Sequence, residues 1–157
     1  MTDRSVTHET FVIERTYLAA PARVFAAWAD PLAKAEWFGS PEERGIAPAS
    51  FEFRVGGQER HSGEAPNGQS YSYDATYADI VPDQRIVYTY EMGLDGTRIS
   101  VSVATIAFIP VGNGTCLTLT EQGAFLDGLD TSAQREQGTA WLLDQLGAFL
   151  SRAPVTG

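Results

Sequence analysis

Apolar and polar positions change period along this chain, and the changes separate helical stretches from extended ones. From Phe11 to Leu18 a run rich in β-branched and aromatic residues alternates Phe11, Ile13, Arg15 and Tyr17 with Val12, Glu14, Thr16 and Leu18, which predicts a first strand. Pro21 then stands where a first helical turn tolerates a missing N–H. Val24, Phe25 and Trp28 recur at helical spacing until Asp30-Pro31 interrupts them, and a second short helix is expected over Leu32 to Trp37. Phe51, Phe53 and Val55 alternate with Glu52 and Arg54; Gly56-Gly57 ends or bulges that strand before a polar, turn-rich stretch containing Asn67-Gly68. Tyr71, Tyr73, Ala75 and Tyr77 share one face of the next strand, opposite Ser72, Asp74 and Thr76. After Pro82-Asp83 the residues Ile86, Tyr88, Tyr90 and Met92 are in phase again, and Leu94-Asp95-Gly96 turns the chain back. Strands over Arg98 to Ile109 and Thr115 to Gln122 flank Gly112-Asn113-Gly114 and complete an antiparallel meander.

Beyond Gly123 to Asp130 the period returns to that of a helix. Thr131 and Gln134 have capping-box spacing, and Leu142, Leu143, Leu146, Phe149 and Leu150 form one apolar face through about Arg152, with Pro154 closing the domain. Trp141 falls about 160° from Leu143 and about 140° from Leu146 on a helical wheel. It is therefore expected to cover another element or to sit in a homodimer contact. A strand, two short helices, five antiparallel strands and one long amphipathic helix predict an α+β fold in which the last helix covers the apolar face of a curved antiparallel sheet.

Composition narrows the partners. The 157 residues suit one domain, with a core over about residues 11–152, and neither repeats nor linkers divide them. Twenty acidic residues against 11 basic ones give a net charge of -9, a field that repels phosphate backbones and anionic membranes, so no nucleic-acid partner is expected. No stretch approaches the roughly 18 apolar residues of a membrane span, and the opening MTDRSVTHET does not resemble a signal peptide. A soluble cytoplasmic protein without a membrane partner is the expectation. Cys116 is the lone cysteine and the two histidines, His8 and His61, are well separated, so neither a metal site nor a cofactor is expected. Gly-x-Ser-x-Gly is missing, and Gly56-Gly57 lacks the Lys-Ser/Thr of a phosphate loop.

The candidate chemistry lies in the sheet. If Tyr71, Tyr73, Tyr77, Tyr88 and Tyr90 point inward they line a cavity with aromatic walls and polar tips; if outward, they are cross-strand pairs on the convex surface. Glu121 is in phase with Leu117 and Leu119, which places a carboxylate on an apolar face as a general base or ligand anchor, or else as a structural partner of Arg54 or Arg15. His61 reads as a general acid or base at the pocket rim or as an exposed loop histidine, and His8 as part of a disordered N-terminus. Arg54 is expected to pair with a neighbouring strand's acid such as Asp74. Trp28, Trp37 and Phe38 are expected as core or cavity-wall residues.

The runs FVIERTYLAAPARVFAAWADPLAKAEWFG, FEFRVGG, YADIVPDQRIVYTYEM and LTLTEQG resemble the START-like (SRPBCC) superfamily, in its branch related to the activator of heat-shock-protein ATPase. Ala20-Pro21 before the first helix, Trp28 with Asp30-Pro31, Trp37-Phe38-Gly39, and Glu52, Arg54, Gly56 and Gly57 follow that family's pattern in order, over about Phe11 to Leu150. One departure is Gly138-Thr139, where the family's last helix often opens with Gly-Trp. The resemblance implies a helix-grip fold, a sheet wrapped around the last helix with a cavity between them. It makes Trp28, Trp37, Phe38, Phe53, the five tyrosines, Glu121 and Leu143 the expected ligand-binding set. Three functions remain open on this basis: binding of a small hydrophobic or aromatic molecule; a cyclase- or hydrolase-type enzyme using Glu121, His61 and a tyrosine; or a co-chaperone-like interaction module with a chaperone partner.

Overall fold

The computed structural model describes residues 4–40, 43, 45, 48–65 and 67–152, so Pro154 lies outside the described residues. In chain order the elements are β1 (Val6–Tyr17), α1 (Pro21–Ala29), α2 (Pro31–Lys34), β2 (Ser50–Phe51), β3 (Gln58–Glu64), β4 (Ser70–Val81), β5 (Arg85–Leu94), β6 (Thr97–Val111), β7 (Gly114–Leu126) and α3 (Ser132–Arg152). All seven strands join one antiparallel sheet in the order β1-β7-β6-β5-β4-β3-β2, and α3 closes its concave face. This is the α+β helix-grip arrangement.

Short-range chemistry explains the early elements. Pro21 occupies the first position of α1, where its lost N–H would have had no partner, and Asp30 caps α2 by accepting from the Leu32 N–H at 3.2 Å. Trp28 and Trp37 meet edge to face with centroids 4.8 Å apart, and the Trp37 indole donates to the Ala27 carbonyl, which ties α1 to the turn that follows α2.

Three sequence expectations are corrected here. His8 is not in a disordered terminus: β7 runs on to Leu126 and offers backbone partners as far as Val6, so His8 pairs with Ala124. The segment after Gly56-Gly57 is not a loop but β3. Gly56 has φ +84°, and a Cβ on Gly57 would lie 2.1 Å from the Glu52 carbonyl, so only glycine allows the chain to double back there. The turn, closed by Gly57 N–H to Arg54 O at 2.8 Å, shortens β2 and launches β3 along β4. The sheet therefore has a seventh strand. Arg54 accordingly pairs with Glu52, while Asp74 is opposite Arg60 in the ladder and pairs with it.

The long helix follows its pattern. Thr131 accepts the Gln134 N–H at 3.1 Å, and Leu143, Leu146 and Leu150 are buried against the sheet. The Tyr17 hydroxyl donates to the Leu143 carbonyl at 2.7 Å, and Arg15 pairs with Asp144, so β1 holds the helix at mid-length. Tyr73, Tyr77, Tyr88 and Tyr90 all turn to the concave side, which resolves the choice of face. No helix among the described residues is long and apolar enough to cross a membrane.

Candidate functional site

Between α3, the concave sheet and the α2 region the chain leaves a cavity of about 690 Å³. Leu143 lines it, while Leu146 and Leu150 are buried in the core beyond its lining. Trp28, Trp37 and Phe38 form one wall; Tyr71, Tyr73, Tyr88 and Tyr90 form the sheet side; Glu121 and Leu143 complete it. Phe53 and Tyr77 are placed elsewhere. Phe53 packs edge to face on Phe25 and Tyr77 in the adjoining aromatic core, and Tyr77, though buried, turns its hydroxyl to the back of a cavity carboxylate. Trp141, 41% exposed, also lines the cavity.

Two polar clusters face this space. The first centres on Glu59, which is fully buried on β3. Its Oε1 accepts from Lys34 Nζ at 2.7 Å and from the Tyr77 hydroxyl at 2.5 Å, and its Oε2 meets His61 Nε2 at 2.6 Å. Burial alone pushes a carboxyl up, but the Lys34 charge and the His61, Lys34 and Tyr77 hydrogen bonds outweigh it and bring the Glu59 pKa down to about 2. Lys34 also lies 4.4 Å over the Phe38 ring. His61 is therefore not an exposed loop residue: its ring, 20% exposed, lies between Phe38 and Tyr73 at 5.3 and 5.5 Å.

The second cluster centres on Glu121, 2% exposed on β7. The Tyr90 hydroxyl donates to its Oε2 at 2.7 Å, and Arg135 stands 3.5 Å away. The partner is thus neither Arg54 nor Arg15. Arg135 spends its donors on the Tyr90 oxygen, Ser100 Oγ and Asp130, so its charge is shared with a second acid. Burial then prevails over the Tyr90 hydrogen bond and the Arg135 charge, and the Glu121 carboxyl is raised above its ordinary value. Burial likewise raises Tyr73 and Tyr88, whose hydroxyls interact with each other, so both remain neutral donors.

Sequence reasoning missed Lys34, Glu59 and Arg135. Arg135 carried a usable signal, because it precedes Thr139 and Leu143 by successive steps of four on the inward stripe of α3. Glu59 and His61 alternate in phase, but within a polar run that hides the strand. Among the described residues no group of three His, Cys, Asp or Glu is placed to hold a metal ion.

An antiparallel sheet gripping one long helix around an aromatic cavity defines the START-like class of fold. Within it, residues 18–151 match the family model described as Activator of Hsp90 ATPase homolog 1-like protein, and this chain belongs to that family. A Rhizobium leguminosarum protein of known structure is 46% identical, with a TM-score of 0.92 over 97% of this chain and 100% of its own. Mll3558 of Rhizobium loti is 46% identical, with a TM-score of 0.85 over 92% of this chain and 99% of that one. CV1439 of Chromobacterium violaceum is 28% identical, with a TM-score of 0.75 over 92% and 98%. No functionally curated protein matches the sequence.

Proposed function

We propose that this protein binds a small hydrophobic or aromatic molecule in the cavity between the sheet and α3. The single observation that carries the reading is the cavity itself: about 690 Å³ of space, within the range of small-molecule sites, walled by aromatic rings and bordered by a few buried polar groups. Rings supply dispersion over a flat ligand, and the neutral hydroxyls of Tyr73 and Tyr88 favour a ligand carrying oxygen, while the Tyr90 hydroxyl is already paired with Glu121 and Arg135. Glu121, with its raised pKa, suits a ligand hydroxyl or amine. Family membership supports the same reading, because proteins of this fold family typically hold hydrophobic ligands. An interaction module calls instead for a small or filled cavity, so the volume weighs against a chaperone-binding role.

The neutral probe N-phenyl-1-naphthylamine, whose emission rises in apolar surroundings, tests the proposal. Trp28, Trp37 and Trp141 all line the cavity. We expect one saturable site with energy transfer from tryptophan; a titration that never saturates contradicts the proposal.

A further inference from the structure

Glu59, His61 and Lys34 meet on one wall of the cavity in an arrangement that ligand binding alone does not call for. Burying an ion pair brings little net stability, because desolvating both charges offsets their attraction. Here Lys34 and Glu59 have side chains only 4% and 0% exposed, and a histidine is added to the same carboxylate.

The hydrogen-bond inventory assigns the protons. With Lys34 at 2.7 Å the Glu59 carboxylate is ionised and can only accept, so the His61 nitrogen 2.6 Å away, Nε2, carries its hydrogen. In the neutral ring the lone pair is then on Nδ1, which has no hydrogen-bond partner among the described residues. Glu59 is not placed to act as a base itself, since its side chain is fully buried and already accepts from Lys34, Tyr77 and His61. A carboxylate behind an imidazole orients it and stabilises the imidazolium that forms when the far nitrogen takes a proton. Lys34 gives Glu59 one of its three N–H groups and also lines the cavity.

We propose that His61 is the general base of a proton-transfer reaction on a flat, conjugated molecule in this cavity, with Glu59 as its positioning residue and Lys34 as the neighbouring cation. The proposal rests on the ligand-binding reading and adds turnover to it. In the step, a C–H or O–H bond of the ligand breaks and its proton moves to Nδ1. The electron pair stays on the ligand as an enolate or phenolate beside Lys34, and the imidazolium then returns its proton to the product or to water. The reaction classes that fit are tautomerisation and elimination.

A reporter of this chemistry is 5-nitrobenzisoxazole, a flat aromatic compound. Loss of its C3 proton to a base forms the nitrile, breaks the N–O bond and releases 2-cyano-4-nitrophenolate, whose colour gives the rate. We expect saturable turnover by the wild type. His61→Gln should lower kcat at least tenfold, at the low end of the roughly 10²–10⁴ that general bases supply, while N-phenyl-1-naphthylamine still binds. The paired variant K34M/E59Q keeps a hydrogen-bond acceptor behind the ring but removes the charges. It should lower kcat with KM and N-phenyl-1-naphthylamine binding little changed, a split that a purely structural role would not produce. Probe binding with no turnover above that of His61→Gln overturns the base and leaves the ligand-binding reading standing. Turnover lost in Lys34→Met but kept in His61→Gln makes lysine the base and equally overturns it. Failure of the probe to bind the wild type removes both.

Discussion

Glu59 and Glu121 are the same residue type, both buried, both on the concave face and both bonded to a tyrosine hydroxyl, yet their surroundings drive their protonation in opposite directions. Glu59 has its own ammonium at 2.7 Å and three hydrogen-bond donors in all. Glu121 has a guanidinium at 3.5 Å that also serves Asp130. Burial is common to both, so the difference lies in how many donors and how much undivided positive charge each carboxylate receives. The cavity consequently has a carboxylate at β3 held in its ionised form and an acid on β7 whose protonated form is favoured by burial.

The largest effect should come from breaking the first cluster. Lys34→Met leaves Glu59 buried without a cation and should cost about 3–5 kcal/mol in urea denaturation, whereas the double variant K34M/E59Q should recover most of that loss. If the single and double variants are equally stable, the pair is not coupled as its geometry requires.

The acid limb of the stability curve is the next largest. The Glu59 pKa falls from an ordinary 4.5 to about 2 on folding, so its stabilisation is complete above pH 4.5 and is lost as pH drops toward 2. The shift corresponds to about 3 kcal/mol, and the slope should vanish in K34M/E59Q. Glu121 has the opposite sign. Its folded pKa is raised, so its contribution is full below the unfolded carboxyl value and is lost as pH rises through the folded one. Glu121→Gln should flatten that limb in thermal melts, change stability by less than about 1 kcal/mol and weaken N-phenyl-1-naphthylamine binding. A loss of several degrees with unchanged binding would make Glu121 a structural partner instead.

The same contrast marks what was legible in the sequence. Glu121 stood out because it interrupts a strand face of leucines, and the structure places it on the cavity, as it does Tyr71, Tyr73, Tyr88 and Tyr90. Strand periodicity and the capped leucine stripe of α3 needed only local information, and they carried most of the fold. Glu59 and Lys34 did not stand out. β3 reads QERHSGE, in which polar residues occupy both faces, and it becomes a strand only because the Gly56-Gly57 turn delivers it to β4. Lys34 ends a short helix of four residues, and its burial depends on Phe38 and on a strand more than twenty positions away. Tertiary pairing decides such residues, and no local period encodes it. Phe53 was expected in the ligand-binding set, but it lies beyond the end of β2 at Phe51 and packs against Phe25 instead.

The claim that the cavity itself holds the ligand is tested most directly at Thr139. This residue stands on the inward stripe of α3 and lines the cavity, at the place where the family often has tryptophan. Thr139→Trp takes up cavity space while leaving Glu59 and Glu121 themselves unaltered. We predict that N-phenyl-1-naphthylamine, excited directly, binds the wild type at one site and binds this variant at least tenfold more weakly, with the melting temperature little changed. Equal affinity in the two proteins would put the ligand outside the cavity and contradict the account.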